Sequence, residues 1–252
     1  MLILISPAKT MREEGRQKPV SIPVLYEKSE VLLEAIRSYC VEDLMKLMKV
    51  KESIAKETKQ KFQEMRFDTH GVCALESYDG IAFKSMKLDM LDKKAWEYLQ
   101  QHLRILSGFY GMVKPMDSIY PYRMEMQLRL PVKENKHLYA FWNDTIAQAC
   151  LADLKNHKEQ ILINLASKEY DKAILPYVDK KQVLTIRFCI EKDGVLKTES
   201  TQVKMARGLM VSYMAAHQVE TKEEIKKFAE DGYWFEESIS TEEEFVFVKR
   251  KD

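Results

Sequence analysis

Residues 104–127, RILSGFYGMVKPMDSIYPYRMEMQ, restrict this chain more than any other stretch. Gly108 and Gly111 let the backbone turn or admit a close neighbour, and Pro115 and Pro121 fix φ in the loop after a short apolar run. Tyr110, Tyr120, Tyr122, Arg123 and Glu125 put polar tips on the same segment. Two readings fit: a shaped site, or a strand and proline-rich loop whose tyrosines only cover the core.

A chain of 252 residues can make one large domain or two small ones, and a single domain of this length buries about 70–75% of its unfolded surface. With 40 basic against 39 acidic side chains it is neither disordered nor globally basic, so any surface for nucleic acid must be local. The longest apolar runs, residues 2–5 and 161–166, fall far short of the roughly 18–20 residues of a membrane span. No basic segment precedes an apolar stretch at the N-terminus, so a cytoplasmic location is expected. Cys40, Cys73, Cys150 and Cys189 lie far apart without CxxC spacing and read as buried reduced thiols. His70, His102, His137, His157 and His217 are equally scattered, so neither zinc nor an iron site of His and carboxylates has support, and no cofactor is expected. Neither GxxxxGK[ST] nor GxGxxG occurs.

Residues 2–5 read as a buried strand ending at Ser6-Pro7, with Lys9 and Thr10 at its mouth. Val31, Leu32, Ala35, Ile36 and Tyr39 recur at helical spacing; Leu44, Leu47 and Met48 begin a second helix that turns near residues 48–51 before a third. Lys46, Lys49, Lys51, Lys56, Lys59 and Lys61 face only Glu52 and Glu57 there, a basic helix-hairpin-helix candidate, although its turn lacks glycine. The alternative is a solvated lysine face.

Residues 72–83 read as a strand containing Asp79-Gly80, 90–103 as a helix with Leu91, Ala95, Leu99 and Leu103 inward, and Arg104 as the start of a strand facing the side of Arg123. Residues 138–154 read as one helix with Phe141 and Trp142 in the core. A strand over 161–165 runs into Ser167-Lys168-Glu169-Tyr170, a helix start at which Ser167 caps the turn or, with Asn164 and Lys168, meets an anion. A hairpin turns at Asp193-Gly194, and residues 203–217 form an amphipathic helix. Lys204 and Arg207 oppose the dipole at its start, which suits a phosphate or an internal carboxylate such as Glu125 or Glu169. Thr221 and Glu224 make a capping box, and residues 244–249 close the chain as a strand.

SGFYGMVKPMDSIYPYRMEM, the opening LILISPAKT, the FW at Phe141 and Trp142, INLASKEYDKAI, KMARGLM, GYWFEE and EFVFVKR occur together and in order. In these motifs the chain resembles, over nearly its full length, the YaaA family of peroxide-stress proteins. The resemblance implies a cytosolic single α/β domain with a positively charged cleft and a helix-hairpin-helix-like element. It also implies DNA binding that limits oxidative damage tied to free intracellular iron.

The expected fold is therefore one α/β domain over residues 1–252, a mixed sheet flanked by helices with the helical hairpin near the N-terminus. The first functional reading is a non-catalytic protein bound to DNA, double-stranded and held by phosphate, through Lys9, Lys49, Lys51, Arg104, Arg123, Lys204 and Arg207. It needs no membrane and no obligatory protein partner. The alternative is an enzyme acting on a nucleic-acid base or nucleotide, with Glu125 or Glu169 as acid and base and Ser6, Tyr110, Asn164 and Ser167 in the pocket. Clustering of Ser6, Arg123, Glu125, Glu169 and Arg207 around a closed pocket favours the enzyme; an open groove reaching Lys49 and Lys51 favours binding alone.

Overall fold

Apolar residues in unbroken runs make strands buried on both faces, and the first such run, Leu2–Ile5, is β1, with all four residues buried. The computed structural model describes residues 1–250. After β1 come α1 (Tyr26–Arg37), α2 (Val41–Met48), α3 (Glu52–Glu64), β2 (Val72–Cys73), α4 (Ala74–Ser77), α5 (Ile81–Ser85) and α6 (Lys93–His102). The middle of the chain supplies β3 (Leu103–Ser107), β4 (Gly111–Val113), β5 (Ser118–Ile119), α7 (Leu138–Trp142), α8 (Thr145–Leu154), β6 (Leu162–Leu165) and α9 (Lys168–Asp171). The last third holds β7 (Val183–Lys192), β8 (Val195–Lys197), α10 (Ser200–Ala216), α11 (Lys222–Ile225), β9 (Tyr233–Phe235) and β10 (Glu244–Arg250).

Eight strands form one mixed sheet in the order β4-β3-β1-β6-β7-β10-β9, with β8 paired to the far end of β7. The centre from β3 to β10 is parallel, and β4, β8 and β9 run antiparallel at its margins. Helix α6 packs on β1 and β3, α10 on β7 and α6, and α8 on β4, which flanks the sheet with helices as expected for one α/β domain. No helix among the described residues is long and apolar enough to cross a membrane.

Four readings of the sequence require correction. Cys40, read as buried, is exposed, whereas Cys73, Cys150 and Cys189 are buried as read. Residues 72–83 are not a strand: only Val72 and Cys73 pair, with β5, after which the Ala74 and Leu75 N–H groups bond to the Asp117 and Pro115 carbonyls and the chain coils into α4. Burial of Ala74, Leu75, Ser77 and Tyr78 together removed the periodicity that marks a helix. Residues 138–154 are two helices, because Asn143 stands at φ 45° and breaks the run after Trp142. Helix α6 ends one residue earlier than read, Leu103 already pairing with Ile3 in β3. Helices α2 and α3 follow one another across a short turn in which Lys49, at φ 53°, takes the left-handed conformation that glycine usually provides.

Two glycines set close approaches on which the site depends. A Cβ on Gly108 would stand 2.5 Å from the Met124 carbonyl oxygen and 2.9 Å from the Glu125 carbonyl carbon, so glycine lets the 122–126 segment lie against the β3–β4 hairpin. The Gly108 carbonyl accepts from Trp142 Nε1–H at 2.9 Å, which ties α7 to the same point. A Cβ on Gly208 would collide with the Ala82 carbonyl, so glycine lets α10 settle onto α5. Alanine is the better helix former by about 1 kcal/mol, yet here overpacking should win. Gly208→Ala is expected to lower stability by about 1–3 kcal/mol in denaturant melts; an unchanged or raised midpoint would show that α5 and α10 yield freely.

Candidate functional site

In a parallel sheet the loops leaving neighbouring strands open a crevice wherever they depart in opposite directions. Here β1 leads towards β3 on one side, and β6, on its other side, leads to β7 and β10. The crevice lies beyond the carboxyl ends of β1 and β6, held by Ser6 and Ser167: the Ser6 Oγ accepts the Ser167 N–H at 2.8 Å and donates to the Ser167 Oγ at 3.1 Å. A cavity of about 460 Å³ opens there, within the range of small-ligand sites. Gly80 forms part of its wall, and a Cβ on it would lie 2.7 Å from that of Ala8, so only glycine lets the 79–84 segment close on the first loop.

Five cationic side chains line the cavity, Lys9, Lys84, Arg123, Lys204 and Arg207, against three carboxylates, Asp79, Glu125 and Glu169. They divide unevenly. Glu125 Oε1 lies 2.8 Å from Lys9 Nζ and 3.3 Å from Arg123, so both cations on that wall share one internal carboxylate. Asp79 pairs with Arg12 at 2.9 Å and with Lys84 at 3.4 Å; burial alone would raise its pKa, but the two cations together hold it below the usual carboxylate value. On the α10 wall, Lys204 and Arg207 lie three residues apart and share a face, with no ion-pair partner among the described residues. The Arg207 Nε is buried without a hydrogen-bond partner in the protein. Burial lowers the Arg207 pKa and the charge of Asp171 partly restores it, while an arginine stays cationic throughout. Glu169 is held above the usual carboxylate value, first by burial and also by the charge of Glu125, against the Gln127 N–H and Lys9.

The structure thus brings Lys9, Arg123, Lys204, Arg207, Ser6, Ser167, Glu125 and Glu169 into one cavity. It leaves five of the sequence candidates outside. Arg104 is buried at 3% exposure, donates from Nε to Asp153 Oδ2 at 2.7 Å and from NH1 to the Leu103 carbonyl at 2.8 Å, and faces another cavity. Its charge and donors are spent inside the protein, which corrects its placement beside Arg123. Tyr110 is 1% exposed within a cluster with Phe67, Phe109 and Tyr122, and its hydroxyl meets the Tyr120 backbone, so it belongs to the core and not to the pocket. Asn164 is likewise buried and holds the Ala166 N–H at 3.0 Å, shaping the strand end from behind. Lys49 and Lys51 are exposed on the hairpin and do not line the cavity. Ser167 makes no capping bond to α9, which is a single turn.

Sequence reasoning passed over Asp79, Gly80, Lys84 and Tyr170, all of which line the cavity. The Asp-Gly dipeptide was the available signal, since it ends a strand more often than it continues one. No group of three or more His, Cys, Asp or Glu side chains among the described residues is arranged to hold a metal ion.

Comparison with known proteins finds similarity along nearly the whole chain. The family model described as "Peroxide stress protein YaaA" matches residues 1–239. A "UPF0246 protein" of Clostridioides difficile (strain 630) is 38% identical over 251 residues, covering 99% of this chain and 100% of that one. One from Agathobacter rectalis is 38% identical over 252 residues, 99% of each, and one from Phenylobacterium zucineum (strain HLK1) is 37% identical over 254 residues, 99% of this chain and 95% of that one. With its β1–β6 cleft and this full-length similarity, the chain belongs to the YaaA (UPF0246) family of peroxide stress proteins.

Proposed function

We propose that the cleft binds DNA through its phosphate groups in the cytoplasm, and that in this way the protein limits iron-linked oxidative damage. The observation that carries the reading is the α10 wall, where Arg207, near Asp171 but without an ion pair, holds a buried Nε without a protein partner beside an unpaired Lys204. A desolvated cation without a partner is costly in the free protein and gains fully from an anion, and a planar guanidinium suits phosphate oxygens. The exposed Lys49 and Lys51, at the turn of the helical hairpin, offer an outlying phosphate contact.

Binding through about four phosphates should give a log–log salt slope near −3 to −4 on duplex DNA, roughly −0.9 per contact; a flat titration would sink the reading. Arg207→Ala is expected to weaken binding at least about tenfold while shifting stability by under about 1 kcal/mol, because Asp171 acts on it only through its charge and makes no ion pair with it. Arg104→Ala should behave in the opposite way, leaving binding unchanged and costing about 3 kcal/mol as Asp153 loses its buried partner. Anisotropy titrations beside denaturant melts separate the two patterns. Lys49→Glu with Lys51→Glu should weaken DNA binding without a change in melting temperature; unchanged affinity would remove the hairpin from the contact surface.

A second reading, an enzyme acting on a nucleotide or nucleic-acid base, is favoured by the two carboxylates in one cavity with opposed environments. Glu125 is ion-paired, whereas Glu169 is pushed upward by burial and by Glu125. Such a pair suits a base and an acid. Either reading makes one pH prediction. A raised Glu169 is neutral at low pH and adds a negative charge to the cleft as pH rises through its elevated value, so anion binding should weaken over that interval. Glu169→Gln should bind more tightly above it and lose the pH dependence; a parallel decline in wild type and variant would assign the titration to another group.

A further inference from the structure

Three hydroxyls lie in a row behind the cleft. The Ser107 Oγ is 2.6 Å from the Tyr122 hydroxyl, which is 2.9 Å from the Tyr78 hydroxyl. Ser107 and both rings are at most 6% exposed. The direction of the first bond follows from the backbone. The Ser107 Oγ accepts N–H bonds from Phe109 at 3.1 Å and from Tyr110 at 2.8 Å, which occupies both of its lone pairs. Its own proton can therefore only be donated, and it goes to Tyr122. The second link, between Tyr122 and Tyr78, uses one of the two remaining protons. One hydroxyl proton is always left over, carried outward by Tyr122 or by Tyr78.

The two tyrosines border different cavities. Tyr122 lines the cleft between β1 and β6. Tyr78 lines a neighbouring cavity of about 390 Å³ in which Arg12, Arg16, Lys84 and Lys87 are matched by Glu14, Glu76, Asp79 and Asp89. That second cavity is neutralised by its own pairs, Arg12 with Asp79 and Arg16 with Asp89. The cleft, with Lys204 and Arg207 unpaired on its α10 wall, is the one that draws an occupant rich in hydrogen-bond acceptors. Burial pushes the Tyr122 phenol up to about 12, so it is a protonated donor at neutral pH.

We infer that Tyr122 donates its hydroxyl proton to an acceptor oxygen or ring nitrogen of a phosphate-bearing nucleotide unit seated in the cleft. Ser107, and Tyr78 when the ligand is present, act through Tyr122 as positioning residues, filling its lone pairs so that its proton has no destination but the ligand. The inference rests on the reading of the cleft as a nucleic-acid site and adds to it a neutral contact that charge alone does not supply.

The test compares Tyr122→Phe with Tyr78→Phe, using a fluorescent oligonucleotide as single strand and as duplex. Both variants break the same 2.9 Å hydrogen bond, so a purely structural role would move them together. Tyr122→Phe is expected to weaken binding about five- to tenfold, the size of one hydrogen bond, with the salt slope unchanged; Tyr78→Phe should stay within about twofold of wild type. Equal losses, or a larger loss for Tyr78→Phe, would overturn the inference while a weakened Arg207→Ala left the cleft reading standing. Absence of binding by the wild type removes both. Should Tyr122→Phe fail to fold, 3-fluorotyrosine at position 122 keeps ring and hydroxyl and makes the hydroxyl a stronger donor. Tighter binding is then expected, and unchanged or weaker binding overturns the inference.

Discussion

The parallel pairing of β1 between β3 and β6 governs the rest of this molecule. Its four residues are buried, with neighbouring backbone on both edges, so the chain leaving Ile5 can only go out over the end of the sheet. The same holds for Leu165, the last residue of β6. Two loops that emerge side by side and lead to opposite halves of the sheet cannot pack on each other along their length. A crevice between them is the geometric result, and the Ser6–Ser167 hydrogen bonds fix its base.

The chemistry of that crevice comes from segments far away in sequence, each admitted by a close backbone approach. Gly108 lets the strand hairpin accept the segment that carries Tyr122, Arg123 and Glu125, and Gly208 lets α10 bring Lys204 and Arg207 against α5. These backbone contacts fix where the two walls of the crevice stand. The two walls differ: Lys9 and Arg123 share the Glu125 carboxylate, whereas Lys204 and Arg207 make no ion pair among the described residues.

Arginine illustrates how environment decides role. Arg104 is buried and Arg207 half-buried, and Arg104 meets Asp153 and two backbone carbonyls, whereas the Arg207 Nε meets no acceptor in the protein. The first arrangement stabilises the fold as a buried pair whose separation is costly. The second leaves a donor without an acceptor in the protein, and the three hydroxyls behind the cleft hold one more proton than the two hydrogen bonds between them use.

Local pattern determined much of this protein. Unbroken apolar runs marked β1 and β6, the Asp193-Gly194 turn closed β7 onto β8, and Thr221 with Glu224 capped α11, because each depends on neighbours a few residues away. The motif around residues 104–127 and the basic residues Lys204 and Arg207 stood out in the sequence, but α10 begins at Ser200, so neither charge sits in its first turn as the sequence suggested. What the sequence could not contain was which arginine faces inward, that Tyr110 and Asn164 stand behind the wall, or that Asp79, Gly80 and Lys84 complete it. Those outcomes depend on contacts between segments as far apart as residues 82 and 208, and on which partner, a carboxylate, a carbonyl or none, the tertiary packing places beside each charge. Strand and helix signals decay within a few residues, whereas burial and pairing are properties of the assembled chain.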